Sequence, residues 1–110
     1  MDEDLIPIGQ FANLTWLSPK ALRLYQSQGV LVPVEVDERS GYRYYGPEQI
    51  PIARRIGLLR RAGVSLAEIA VFLGSPTAQQ VESWIGDLDV EIAERRQLLE
   101  HVARTLDSPE

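Results

Sequence analysis

The chain has 110 residues, 45% of them hydrophobic and 25% charged, with a net charge of −5. This is the make-up of a soluble globular domain with at most one extended element. The absence of cysteine excludes disulfides, thiolate metal sites and cysteine nucleophiles and fits a cytoplasmic protein. No apolar run approaches the roughly 18 residues of a membrane span, and the acidic start Met1-Asp2-Glu3-Asp4 lacks the basic opening of a signal peptide. The acidity is uneven: residues 14–74 carry a net +3, whereas residues 75–110 carry −5. Local field rather than total charge steers a polyanion, so the middle of the chain keeps nucleic acid as a candidate partner.

In chain order, Leu5, Ile6 and Ile8 lead into a short helical segment, Gly9–Leu14, with Phe11, Ala12 and Leu14 as its apolar members. Thr15, Trp16 and Leu17 separate it from a second helix. Ser18 suits the N-cap of that helix, Pro19 its first turn and Gly29 its left-handed stop. Two short helices joined by such a turn make a helix-turn-helix, whose second member enters the DNA major groove. Lys20, Arg23 and Ser27 share one side of that helix by their spacing of three and four. Trp16 falls where positive φ is often needed; left-handed geometry would cost a tryptophan about 1–2 kcal/mol, so a turn of another shape is expected, with Trp16 in the core.

After Gly29 the period changes to two. Val32, Val34 and Val36 alternate with Pro33 and Glu35, and Pro33 confines this strand to an edge. Asp37–Gly41 is rich in turn formers, and Tyr42-Arg43-Tyr44-Tyr45 is a second β-prone run. The pair is predicted to form a hairpin, or wing, whose tip holds Arg39 and Arg43. The tyrosines serve either as cross-strand packing or, with the arginines, as a grip on phosphates.

Gly46-Pro47 opens a third helix running to about Ala62, its regular part starting near residue 48 because Pro51 lacks an N–H, with Ile50, Ala53, Ile56 and Leu59 inward and Gly63 as its stop. Its arginines, Arg54, Arg55, Arg60 and Arg61, are read as mostly solvated. Ser65-Leu66-Ala67-Glu68 is a capping box starting a fourth helix, with Leu66, Ile69, Phe72 and Leu73 facing inward. Thr77 begins a long final helix. There Val81, Ile85, Leu88, Ile92, Arg95, Leu99, Val102 and Leu106 recur at spacings of 4, 3, 4, 3, 4, 3 and 4, a heptad seam with one polar interruption. A helix spanning about 39 Å, at 1.5 Å per residue, is too long to fold back on so small a domain and calls for a partner helix.

Neither a metal site nor an enzyme is expected. His101 is the single histidine, and one imidazole is not a ligand set. No glycine-rich phosphate loop or grouped triad appears, and no cofactor is implied.

The order of elements and several runs resemble the DNA-binding half of a MerR-family regulator. The matching runs are Ile8-Gly9, Ser18–Gly29 with Leu22-Arg23 and Tyr25, Gly41–Tyr45, Leu59–Gly63 and Ser65–Ile69, so the likeness covers essentially the whole chain. It implies a mainly α fold: a winged helix-turn-helix with a small β-hairpin wing over residues 1–75, including two further helices, followed by a dimerisation helix over 76–110 that pairs as an antiparallel coiled coil. By the resemblance Ser18, Lys20 and Arg23 face the major groove and Tyr25 touches the backbone. Arg39, Tyr42, Arg43 and Tyr44 of the wing grip phosphates, as do groups near Arg60 and Ser65. The dimer would pair through Val81, Ile85, Leu88, Ile92, Arg95, Leu99, Val102 and Leu106. Its partners would be double-stranded promoter DNA, a second copy of itself and, indirectly through DNA distortion, RNA polymerase; no membrane is involved. Three departures stand out. Trp16 occupies a position usually held by a small turn residue, Leu24 replaces an aromatic, and Glu35 stands where a basic residue is frequent. The family's metal and redox sensors use cysteines, which this chain lacks. Because Glu110 follows directly on the pairing helix, an excised DNA-binding half and a short regulator without its own sensor both remain open. Two other readings compete: a dimeric protein-interaction module, favoured by the acidic total and Glu35, and an architectural DNA binder such as a recombination factor on the same fold.

Overall fold

The computed structural model describes residues 4–107 and divides into two compact units, the first ending at Gly74 and the second beginning at Ser75. The first unit is built from β1 (Ile6–Pro7), α1 (Ile8–Thr15), α2 (Pro19–Ser27), β2 (Glu35–Val36), β3 (Arg43–Tyr45), a 3-10 turn (Pro47–Gln49), α3 (Ile50–Arg61) and α4 (Leu66–Gly74). The fold is mainly helical, with one small sheet.

That sheet has three antiparallel strands in the order β1-β3-β2. The predicted hairpin is therefore part of a larger unit, because Ile6 and Pro7, read as the approach to a helix, pair with Tyr45 and Tyr44. Two residues are too few for alternation to reveal a strand. Pro33 does leave the valine strand at the edge, and β2 is shorter than the alternation predicts. Only Glu35 and Val36 pair, opposite Tyr44 and Arg43, and Val34 adds one N–H bond to the Tyr44 carbonyl at 2.9 Å. Val32, Val34 and Val36 are all exposed, so alternation here marks backbone pairing and not a buried face.

The core lies between α1, α2, α3, α4 and the sheet. Phe11, Leu22, Tyr45, Ala53, Ile56 and Ile69 are fully enclosed, and the Phe11 and Tyr45 rings stack at 4.3 Å. The side-chain period of two divides the wing run: Tyr42 and Tyr44 lie 5.7 Å apart on one face, while Tyr45 turns into the core. Thr15 is the buried polar residue; its hydroxyl donates to the Phe11 carbonyl at 2.8 Å and so loses no hydrogen bond on burial. Ile50, Leu59, Leu66 and Leu73, predicted as inward, are only half-buried. The regular part of α3 begins later than predicted. Pro47–Gln49 forms a 3-10 turn in which Gln49 Oε1 accepts the Gly46 N–H at 2.9 Å, and its amide nitrogen donates to the Val32 carbonyl at 2.7 Å.

Three helices of this unit end alike. After α2, Val30 N–H reaches the Tyr25 carbonyl and Gly29 N–H the Gln26 carbonyl; after α3, Val64 and Gly63 do the same to Leu59 and Arg60. Each closure needs one left-handed residue. Gly29 (φ 69°) and Gly63 (φ 94°) supply it in two cases. In α1 the residue is Trp16, at φ 62° and ψ 30°, with Leu17 N–H bonded back to the Ala12 carbonyl at 3.0 Å.

The second unit is α5 (Ala78–Leu106), capped by Thr77, whose Oγ1 accepts the Gln80 N–H at 3.1 Å. None of its described residues is buried within the single chain. Leu99 and Leu106 are 70% and 80% exposed, far more than a solitary helix can leave in water without cost, at about 25 cal/mol per Å². None of the described helices is long and apolar enough to cross a membrane.

Candidate nucleic-acid interface

The helix α2 owes its placement to its two ends and its buried face. Ser18 Oγ accepts the Ala21 N–H at 3.0 Å, Pro19 opens the first turn, and Leu22 and Tyr25 anchor the helix in the core. Lys20, Arg23, Leu24 and Ser27 are left on the exposed side. The helix therefore presents two cations and a hydroxyl on a rigidly held surface. Ser27 Oγ donates to the Leu24 carbonyl at 2.7 Å and retains acceptor capacity.

The wing is fastened to this helix. Arg43 Nε donates to Gln26 Oε1 at 2.5 Å, joining β3 to the last turn of α2. Arg43 thus does not sit at the hairpin tip, as the sequence suggested. It belongs to β3 and is half-buried. The phenol of Tyr45 is pushed up by burial, with the charges of Arg43 and Arg23 pulling it back. The tip itself is Asp37–Gly41. Asp37 Oδ1 accepts the N–H groups of Arg39 (2.8 Å) and Ser40 (3.1 Å), and Gly41, at φ 74°, returns its N–H to the Asp37 carbonyl. Those backbone donors, Ser40 first and Arg39 second, hold the Asp37 carboxyl below its ordinary 3.8. Arg39 stands on this ordered tip and is exposed, as is Tyr42.

On the other side of α2 is a second cationic surface. Thr15, Trp16, Ser18, Tyr25, Arg54, Arg60 and Arg61 are among the residues lining an open depression of about 260 Å³; three of its lining residues are arginines and none is a carboxylate. Tyr25 is 5% exposed, so its ring is core and only its edge is offered to the depression. Burial raises its phenol, and the neighbouring Arg60 opposes that shift. Arg60 Nη1 donates to the Val64 carbonyl at 2.9 Å, tying the last turn of α3 to the chain beyond it. Ser65 caps α4: its Oγ accepts the Glu68 N–H at 3.2 Å and bonds the Glu68 carboxylate at 3.0 Å, closing the predicted capping box.

Two further sequence expectations fail at this surface. Trp16 is not core: it is 65% exposed and carries the left-handed geometry after all. Nor is Arg54 simply solvated, since its Nε donates to the Leu14 carbonyl at 2.9 Å and its guanidinium lies 4.3 Å from the centre of the Trp16 ring. A cation beside an aromatic at an exposed site contributes about 0.5–1 kcal/mol, less than the about 1–2 kcal/mol that left-handed geometry costs a bulky residue. On balance Trp16 is held at a net cost. Arg54 and Gln26, which organise the surface, carry no signal in the sequence, because their partners lie 40 and 17 residues away.

A helix-turn-helix with a wing packed against its second helix, followed by a long heptad helix, defines a winged-helix regulator fold. Residues 6–75 match the model of the MerR HTH family of regulatory proteins, and the chain belongs to that family. It is 45% identical over 65 residues to the transcriptional regulator BrlR of Pseudomonas aeruginosa, a match covering 59% of this chain and 24% of that one. It is 38% identical over 66 residues to the HTH-type transcriptional regulator CueR of Vibrio cholerae, covering 60% and 47%. The chain thus spans from about a quarter to about half the length of these curated relatives. Among solved structures, the N-terminal part of MtaN, the Bacillus subtilis multidrug transporter activator, superposes with a TM-score of 0.82 at 23% identity, over 94% of this chain and 99% of that one. EcmrR in its DNA complex gives 0.76 at 24% identity, over 92% and 38%.

Proposed function

We infer that the protein is a sequence-specific regulator that binds promoter DNA as a homodimer and distorts it to control transcription, with RNA polymerase affected through the altered DNA. Residues 1–75 supply the DNA-binding unit and residues 76–110 the pairing helix. The observation that carries this reading is the exposed face of α2. A helix anchored by Leu22 and Tyr25 holds Lys20, Arg23 and Ser27 outward, with the wing locked beside it through Arg43 and Gln26. Family membership agrees with it, and two of the fold's neighbours were solved on DNA: EcmrR, and HiNmlR, a MerR-family regulator lacking the sensor domain and bound to promoter DNA.

The heptad positions support an antiparallel pair. Val81, Leu88, Arg95 and Val102 form one set and Ile85, Ile92, Leu99 and Leu106 the other. In a parallel, in-register pair Arg95 would meet Arg95 of the partner in the same layer. Reversal sets one set against the other. With the two-fold axis between Ile92 and Arg95, Leu88 meets the partner's Leu99, Arg95 meets the partner's Ile92, and Asp89 flanks the partner's Arg96.

A two-fold protein reads related half-sites, centred about 34–36 Å apart or a multiple of it. Selection from a random duplex pool followed by footprinting tests this. The expected result is an enriched pseudo-palindrome with both halves protected. Protection of one half at saturating protein contradicts the dimer, and the absence of enrichment favours the interaction-module reading.

A further inference from the structure

We propose that Trp16 and Arg54 act as one phosphate-gripping unit at the turn of the helix-turn-helix, and that the left-handed tryptophan is retained for that contact and not for the fold. This rests on the DNA-binding reading above. Three observations lead to it. At the other two helix ends of this kind the left-handed residue is glycine, so the backbone gains nothing from an indole at position 16. The indole is not used for packing either, being two-thirds exposed. It instead lies beside the guanidinium of Arg54, whose Nε is pinned to the end of α1 through the Leu14 carbonyl. The stack leaves the remaining N–H donors of a planar, permanently charged group held in one orientation.

The place of the unit supplies the ligand. Trp16 lies two residues before Ser18, the N-cap of α2, and so close to the first turn, the part of a recognition helix that meets base edges. A turn at that point lies against the sugar–phosphate strand bordering the groove. Arg60 and Arg61 line the same depression with no carboxylate among its lining residues, so a phosphate there would meet cations and no like charge. Such contacts fix register without reading sequence.

The test is Trp16→Gly, with Trp16→Asn as a second left-handed-tolerant variant, alongside Arg54→Gln and the Trp16→Gly/Arg54→Gln double mutant. Each is measured for melting temperature and for binding to the selected duplex and to random duplex across a salt series. Both position-16 variants should melt at or above the wild-type temperature while binding both duplexes about tenfold more weakly, the loss of roughly one charge-assisted contact. The salt dependence should flatten by about 0.9 for each phosphate contact removed. The double mutant should bind about as weakly as the weaker single, because one unit is lost once. A purely structural tryptophan would move stability and affinity in the same direction. Trp16→Gly and Trp16→Asn proteins that melt lower, or that bind with wild-type affinity and salt slope, overturn the proposal. If the wild-type chain binds neither duplex, the DNA-binding reading itself fails.

Discussion

At the scale of single residues, two tyrosines three positions apart have opposite environments. Tyr42 is half exposed on the wing, whereas Tyr45 is wholly enclosed, and its hydroxyl has no hydrogen-bond partner among the described residues. A buried hydroxyl left unpaired costs about 1–3 kcal/mol, while its removal keeps the ring and its stack on Phe11. Tyr45→Phe should therefore leave the fold intact and raise stability by about 1 kcal/mol, read as a higher denaturant midpoint at an unchanged slope. A lower midpoint would mean that the hydroxyl is satisfied. Asp37 gives a pH-dependent counterpart. Its carboxyl is depressed by the Ser40 and Arg39 N–H groups, so the order it lends to the tip is present above the ordinary value of 3.8 and is lost as pH falls through the lower folded value. The amide resonances of Arg39 and Ser40 should titrate with a midpoint below 3.8; a midpoint at or above it would show the tip to be open.

At the scale of elements, base reading and backbone grip should be divided between α2 and the wing. Lys20→Ala or Arg23→Ala should cost about 1–3 kcal/mol of discrimination at one base pair. Arg39→Ala on the tip should weaken selected and random duplex alike and flatten the salt slope by roughly 0.9 per lost contact. The reverse pattern would invert the assignment. Arg43 should now show a mixed effect, since its loss also frees the wing from Gln26. Gln26→Ala should reproduce the part that comes from positioning. These elements were legible in the sequence where local chemistry sets them: Ser18, Gly29, Gly63, the Ser65–Glu68 box and Thr77 mark helix ends through bonds within a few residues. What was not legible depends on distant partners. The strand at Ile6–Pro7 exists because β3 pairs with it, Arg43 is tied down by Gln26, and the Trp16 ring meets a cation because α3 brings Arg54 beside it. Position 16 carries the left-handed strain that a tryptophan there implies, and the indole nonetheless stays outside the core.

At the scale of the whole molecule, the apolar row on α5 is exposed in the single chain and forms the proposed seam. Leu88→Glu with Leu99→Glu should give monomers in analytical ultracentrifugation, and a persistent dimer would show the row to be misassigned. Arg95 already pairs with Glu91 on the same helix, an exposed i,i+4 pair worth about 0.3–0.5 kcal/mol. In the seam it replaces an apolar layer, so Arg95→Leu should raise the melting temperature while relaxing register and orientation, as polar seam positions tend to limit both. An unchanged or lower temperature would remove Arg95 from the interface.

The free edge of the small sheet bears on how such copies avoid one another elsewhere. β2 lies at one edge, and the exposed Val36 within it and Val32 and Val34 just before it could template a strand from another molecule. Pro33 removes one donor from that edge and Glu35 places a carboxylate on it, the devices that blunt strand-to-strand aggregation. If the partner is DNA as proposed, Glu35 would act as a gatekeeper, trading some affinity for a polyanion against solubility. Pro33→Thr with Glu35→Thr should bind duplex more tightly at low concentration yet form β-rich aggregates as concentration rises, seen as thioflavin fluorescence and rising light scatter. A double variant that stays clear at high concentration would show that the two-residue pairing of β2 is short enough to protect itself.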